Sequence, residues 1–311
     1  MRVGIIGAGA YALALAHVFN KNNDVIIYTK VESEFLELKN SRTNTKFLPD
    51  YVLDNGISVT NNLSDISYSD LIIFALPIKY TEDVVKEMKC LSDKYICVAT
   101  KGISNGLFAY DFVKKYIKSK YVAVISGPSF ASDILNDYPI GLTLASPNKR
   151  VIRTIKDSLH GTNIVFEETS DVYGVEVCGA LKNIYAIGSG ILDGLGSSES
   201  TRAMYLVNVI NELKKICDDT IISYAGIGDV LLTCNSLSSR NFTFGYKIGK
   251  KENIDVYVSN TTIEGLETLK NIPNSIKNMK IINIIYKIVL EKEDPNILLH
   301  FFVWLIYKSG I

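Results

Sequence analysis

The first half of the chain repeats one arrangement, a short apolar run rich in Val and Ile followed by a longer amphipathic stretch. The runs are Val3 to Ile6, Val25 to Tyr28, Leu71 to Ala75, Tyr95 to Ala99, Val122 to Ile125, Gly141 to Ala145 and Asn163 to Phe166. A strand that is apolar on both faces has to be covered on both faces, and helices lying between such strands supply the cover. The pattern therefore predicts α/β architecture with a parallel-type, doubly wound sheet. From about Ser170 the alternation stops. Helical periodicity follows from Val172 to Ile191, from Arg202 to Cys217, and again toward the C-terminus, so the second half is expected to be all-helical. The 311 residues suffice for two domains, expected at 1–168 and 169–311 with the boundary near Glu168.

Gly7-Ala8-Gly9-Ala10-Tyr11-Ala12 lies between the first apolar run and the apolar stretch Ala12 to Phe19. Gly7 permits a tight turn, Gly9 lets the backbone approach a pyrophosphate, and Ala12 stands where a third glycine would bring helix and strand together. The helix N-terminus adds N–H donors and partial positive charge. The strand, loop, helix and next strand all fall within the first 30 residues, which makes residues 1–168 a dinucleotide-binding domain of Rossmann type. At the end of the second run, where NAD-specific enzymes usually carry an acidic residue, the chain has Tyr28-Thr29-Lys30. Lys30 suits the 2′-phosphate of NADP, which tips the expected cofactor, NAD(P), slightly toward NADP. An exposed lysine opening the next helix is the competing reading.

Lys plus Arg and Asp plus Glu are 33 each, so no overall field draws the chain to nucleic acid or anionic lipid, and any anion must be held by a local cluster. The five cysteines, Cys90, Cys97, Cys178, Cys217 and Cys234, are scattered without Cys-x-x-Cys spacing, as suits reduced thiols in a cytosol. His17, His160 and His300 lie far apart with no metal-ligand spacing, and no metal is expected. The chain opens directly on an apolar strand, with no signal-peptide pattern. Its most apolar segment, Ile297 to Tyr307, is about half the length of a membrane span and reads as a buried core helix. A cytoplasmic protein without membrane insertion is expected.

Three further loops follow predicted strands at the same sheet edge: Leu76-Pro77, Thr100-Lys101-Gly102, and Ser126-Gly127-Pro128-Ser129-Phe130-Ala131. A proline just past a strand shapes the crevice where such sheets bind ligands. Each loop alone is compatible with ordinary turn chemistry, but three polar loops at one edge converge on a site. In the helical half, Gly179-Ala180-Leu181-Lys182-Asn183 puts Lys182 on a mostly apolar helix one turn after Gly179, which fits a functional amine or a snorkelling lysine beside a packing glycine. Asp193-Gly194-Leu195-Gly196 reads best as the end of that helix. Gly228-Asp229 precedes Thr233, and Ser239-Arg240-Asn241 before a helix suits a phosphate or a plain N-cap.

These segments together resemble the NAD(P)-dependent glycerol-3-phosphate dehydrogenase family, in order from Gly7 to Glu264. The most specific pieces are Ser126 to Ala131, Gly179 to Asn183, Gly228-Asp229 with Ser239-Arg240-Asn241, and Thr262-Ile263-Glu264-Gly265. The resemblance implies that Ala10, Tyr11, Lys30, Lys101, Ala131, Arg240, Thr262 and Glu264 face the cofactor, in the crevice shaped by Pro77. It places Lys101, Gly127, Ser129, Lys182, Asp229, Thr233, Ser239, Arg240 and Asn241 around a small phosphorylated substrate. Lys182 is then the proton-transferring residue, with Lys101 and Asp229 beside it in the catalytic set. The stretch from Leu213 to Tyr224 is several residues shorter than the family pattern, and Tyr11 stands where bacterial relatives often carry tryptophan.

The implied reaction moves a hydride between NAD(P)H and dihydroxyacetone phosphate to give sn-glycerol 3-phosphate, feeding glycerophospholipid synthesis. A homodimer is compatible with it. A free lysine, with a pKa of about 10.4, is too basic for proton transfer at neutral pH, so burial and the neighbouring Lys101 are expected to lower it while a close Asp229 would raise it. The rival readings are a related dehydrogenase of a hydroxy acid or sugar acid and a non-catalytic dinucleotide-binding module. The presence of both Lys182 and Lys101 argues against the latter.

Overall fold

Short apolar strands and intervening helices alternate from the first residues of the structure, a computed structural model that describes residues 1–88 and 91–308. Residues 1–101 with 108–172 form one compact unit; residues 102–107 with those from 173 onward form a second. In chain order the first unit contains β1 (Arg2–Ile6), α1 (Ala10–Asn20), β2 (Asp24–Tyr28), α2 (Glu32–Asn40), β3 (Ser58–Thr60), β4 (Leu71–Phe74), α3 (Ile78–Glu87) and β5 (Tyr95–Val98). A two-strand hairpin, β6 (Ile103–Ser104) and β7 (Leu107–Phe108), precedes α4 (Ala109–Tyr116), β8 (Val122–Ser126), α5 (Ala131–Leu135), β9 (Ile140–Ala145), α6 (Lys149–Ser158) and β10 (Ile164–Thr169).

The large sheet has the order β10-β9-β8-β5-β4-β1-β2-β3. β1 pairs in parallel with β2 on one side and β4 on the other, so the strand order reverses there. Open α/β sheets bind ligands beyond the carboxyl ends of the strands at such a point. Register puts Ile6 beside Phe74, Phe74 beside Val98, and Val98 beside Val124, and the loops after β1, β4, β5 and β8 thus share one edge. The apolar runs are buried as expected, with Val3, Ile5, Ile73, Cys97, Ala123 and Leu144 each at 1% exposure or less. Leu13 and Phe19 of α1 join them, each burial stabilising the fold by about 1.5–3 kcal/mol.

The expectation of a parallel-type sheet is corrected at one pairing. β8 and β9 are antiparallel, and β10 runs parallel to β9, so the last two strands run against the rest. A run buried on both faces carries no mark of its direction, and the run at 140–145 reads the same either way.

The second unit is built from α7 (Val172–Gly194), α8 (Glu199–Lys214), α9 (Asp218–Ile221), α10 (Asp229–Cys234), α11 (Arg240–Gly249), α12 (Asp255–Asn260), α13 (Glu264–Asn271), α14 (Asn274–Lys277), α15 (Lys280–Leu290) and α16 (Asn296–Lys308). Residues 102–107 group with these helices, and the Asn105 N–H donates to Asn271 Oδ1 at 3.2 Å. α7 ends where glycine permits it: Gly196 has φ 78°, and the Gly196 and Ser197 N–H groups close onto the Asp193 and Leu192 carbonyls. α7 and α11 touch backbone to backbone. A Cβ at Gly190 would lie 2.0 Å from the Phe242 carbonyl oxygen, and one at Gly245 2.0 Å from that of Ile187.

In this unit a buried acid serves structure. Glu212 accepts the Tyr185 hydroxyl at 3.2 Å and the Ile281 and Ile282 N–H groups at 3.1 and 3.3 Å, fixing the start of α15. α16 buries Leu298 and Phe302 but leaves Val303 and Trp304 exposed, so the C-terminal helix is amphipathic rather than buried all round. Among the described residues no helix is long and apolar enough to cross a membrane. Cys90 lies outside the described residues; the other four cysteines are buried, and burial pushes the Cys97 thiol up to about 12.

Candidate active site

In the first unit, β1 delivers the glycine loop directly to the switch point. Gly7 has φ 125°, and a Cβ there would sit 2.4 Å from the Ala75 carbonyl oxygen, so only glycine fits. Gly9 differs. Its φ of −71° suits any residue, and a Cβ would meet no atom within 4 Å. Neither backbone nor packing requires glycine at position 9, which leaves room for a ligand as the reason. Gly9 caps α1 without a side-chain hydrogen bond, and the first turn holds no acid, so the N–H groups of this 11-residue helix suit an anion such as a pyrophosphate. Ala12 is fully buried.

The neighbouring loops bring several predicted residues to this edge. The Lys101 Nζ is 6.0 Å from the centroid of the Tyr11 ring. Ser129 Oγ lies 3.3 Å from the Tyr11 hydroxyl and 3.1 Å from the Gly127 carbonyl oxygen. Gly127, at φ 156°, packs so closely that a Cβ would meet the Gly141 carbonyl oxygen at 2.7 Å. Thr100, named in the sequence only as part of its loop, donates to the Leu76 carbonyl at 2.9 Å and ties the loop of Lys101 to that of Pro77. Pro77 itself caps α3, and Ala131 opens α5. Lys30 stands apart from this group. It is mostly exposed, with its Nζ 3.5 Å from Glu87 Oε1.

In the second unit, α7 and α10 place Lys182 against two groups one helical turn apart. Lys182 Nζ donates to Asp229 Oδ1 at 2.6 Å and to Thr233 Oγ1 at 3.1 Å, while Thr233 Oγ1 also donates to Asp229 Oδ1 at 3.3 Å. Lys182 is 8% exposed and Asp229 1%. The short 213–224 connection still delivers Asp229, through a turn at 224–228 in which Ser223 Oγ accepts the Gly226 N–H. The carboxylate favours the ammonium form of Lys182 and burial favours the neutral amine; at 2.6 Å the ion pair acts directly on the proton.

Beside Lys182 runs a second polar chain. Asn183 Nδ2 donates to Glu264 Oε2 at 3.1 Å, Asn183 Oδ1 accepts Asn241 Nδ2 at 2.9 Å, and Asn241 Oδ1 accepts the Gly265 N–H at 2.8 Å. Arg240, about half exposed, places its guanidinium 3.8 Å from Glu264 Oε1, and Thr262 lies just before α13. Asn183 is the residue that joins these predicted positions; in the sequence it was the last residue of the Gly179-to-Asn183 piece and was given no role of its own. Ser239 Oγ accepts the Phe242 N–H at 3.3 Å, which makes Ser239 the N-cap of α11.

The N-terminal domain model of the NAD-dependent glycerol-3-phosphate dehydrogenases matches residues 2–152, and the C-terminal domain model matches residues 171–300. The chain belongs to that family. A glycerol-3-phosphate dehydrogenase [NAD(P)+] of Halothermothrix orenii is 31% identical, the match covering 94% of this chain and 92% of that protein. One from Staphylococcus aureus is 32% identical over 93% and 94% respectively. The crystal structure of the family member from Coxiella burnetii superposes with a TM-score of 0.89 at 26% identity, covering 97% of this chain and 98% of that one.

Proposed function

We infer that the chain is a glycerol-3-phosphate dehydrogenase, an NAD(P)-dependent oxidoreductase that interconverts dihydroxyacetone phosphate and sn-glycerol 3-phosphate. The observation that carries this reading is the buried Lys182–Asp229–Thr233 cluster, set within the family's motif, with Asn183 next in sequence bonded to Asn241. The glycine loop and the start of α1 hold the dinucleotide pyrophosphate, and Gly9 leaves the room it needs. The bound dinucleotide supplies or takes up the hydride at C2.

Arg240 and the N–H groups at the start of α11 anchor the substrate phosphate, and Lys182 stands at the C2 oxygen. In reduction the ammonium of Lys182, stabilised by Asp229, gives its proton to the carbonyl oxygen; in oxidation the neutral amine removes the hydroxyl proton. Thr233 fixes the amine's direction. A cytoplasmic setting belongs to the same reading, and the scattering of the five cysteines without Cys-x-x-Cys spacing supports it. A homodimer is the assembly to test first, by light scattering.

For the cofactor, a modest preference for NADPH rests on Lys30 and on the absence of an acidic residue at the end of β2. Glu87 competes for the same ammonium. Comparing kcat/KM for NADPH and NADH in wild type and Lys30→Ala tests it; a wild type preferring NADH about tenfold, or about 1.4 kcal/mol, contradicts this reading of Lys30. The substrate assignment is tested by turnover on glycerol 3-phosphate against 6-phosphogluconate and 3-hydroxy acids. Faster turnover of either rival would replace it with the corresponding sugar-acid or hydroxy-acid dehydrogenase.

A further inference from the structure

Asn44 lies outside every element that carries the site, in the segment between α2 and β3, yet it touches the glycine loop. Its side chain is 1% exposed, and Nδ2 donates to the Ala8 carbonyl oxygen at 2.9 Å across 36 residues of sequence. The segment presenting it is tied down independently. The Asn44 carbonyl accepts the Phe47 and Leu48 N–H groups at 3.1 and 2.9 Å, and Glu37 Oε1 accepts the Thr45 N–H at 2.8 Å. The amide therefore comes from a fixed base.

A trans peptide unit is planar, with its carbonyl and N–H pointing opposite ways. Holding the Ala8 oxygen toward Asn44 aims the Gly9 N–H away from the 41–54 segment. The peptide between Ala8 and Gly9 is otherwise cheap to rotate, because glycine tolerates either orientation. Asn44 Oδ1, meanwhile, has no hydrogen-bond partner. A buried unpaired amide oxygen costs stability that an apolar side chain of the same size would avoid, so packing alone does not explain the residue.

We propose that Asn44 is a positioning residue that fixes the Ala8–Gly9 peptide so that the Gly9 N–H is preset for the dinucleotide pyrophosphate. The proposal rests on the reading of residues 7–12 as the cofactor loop. Its test is Asn44→Leu, which keeps the size and removes the donor, with NADH and NADPH dissociation constants measured by fluorescence alongside a thermal melt. The expected result is an unchanged or higher melting temperature, an affinity weaker by about tenfold, the worth of one hydrogen bond, and a kcat that falls less than KM for the cofactor rises. A folded Asn44→Leu protein whose affinity stays within about twofold of wild type, well inside the worth of one hydrogen bond, overturns it.

Gly9→Val separates the two levels, because a Cβ at Gly9 meets no atom of the protein within 4 Å. If Gly9→Val keeps full affinity, the loop reading fails and Asn44 falls with it; if it loses binding while Asn44→Leu does not, only Asn44 falls. Should Asn44→Leu not fold, the side-chain amide resonances of Asn44 in the wild-type protein decide. They are expected to shift on titration with NADH, and unshifted resonances overturn the proposal.

Discussion

Lys182 Nζ and Asp229 Oδ1 lie 2.6 Å apart in a setting where the aspartate is 1% exposed, so the lysine's proton is held by a carboxylate with almost no competing water. The proton transfer proposed for Lys182 would pass through this pair in both directions of the reaction.

Lys182→Ala is predicted to lower kcat by about 10² to 10⁴-fold, the usual worth of a positioned acid/base group, while changing cofactor affinity little. In oxidation, wild-type kcat/KM rises with pH as Lys182 loses its proton, and the variant flattens that limb. The variant also strands Asp229, at a stability cost of about 3–5 kcal/mol, so the double variant with Asp229→Asn is measured beside it. Near wild-type kcat with the same pH limb would assign the proton to another group, Lys101 first.

Arg240→Ala is predicted to act mainly on KM for the phosphorylated substrate, by about 10 to 100-fold, as expected for charge-assisted bonds worth about 1.5–3 kcal/mol. Steady-state kinetics with dihydroxyacetone phosphate measure it. An unchanged KM would move the phosphate elsewhere.

Gly190→Ala tests the backbone contact between α7 and α11. Alanine gains about 1 kcal/mol of helix propensity over glycine. Its Cβ, however, would fall 2.0 Å from the Phe242 carbonyl oxygen, and overpacking of this kind costs about 1–3 kcal/mol or more. A net loss of stability in denaturant is expected, with a raised KM as the contact from Asn183 to Asn241 opens. A more stable protein would show that the helices have room to separate.

Glu37 gives a pH-dependent check on the segment that carries Asn44. The Thr45 backbone N–H holds the Glu37 carboxyl below its ordinary value of 4.5. A depressed folded-state value means stability that is present above the ordinary carboxylate range and lost as pH falls through the folded value. The melting-temperature difference between wild type and Glu37→Gln should therefore be seen near neutrality and vanish in acid. A difference that persists unchanged in acid would show that the charge plays no part.

Seven of the eight strands in the large sheet were legible as apolar runs. β3 was not, because only Thr60 of its three residues is buried, and neither was the hairpin at 103–108, whose strands are two residues each. Gly7 stood out as a glycine directly after a strand, whereas Lys182 and Arg240 each had a plain structural reading and were singled out by the family resemblance. Thr100, Asn44 and Asn183 have partners 24, 36 and 81 residues away, and in sequence each looks like ordinary turn or helix chemistry. The reversed direction of β9 left no trace in composition at all.

The most direct test of the central assignment is the absorbance of the reduced-nicotinamide band when dihydroxyacetone phosphate is added to the enzyme with NADPH or NADH. The account predicts a loss of absorbance matched by formation of sn-glycerol 3-phosphate, and its near-abolition in Lys182→Ala. A protein that binds the reduced dinucleotide but oxidises neither NADPH nor NADH with this substrate would contradict it.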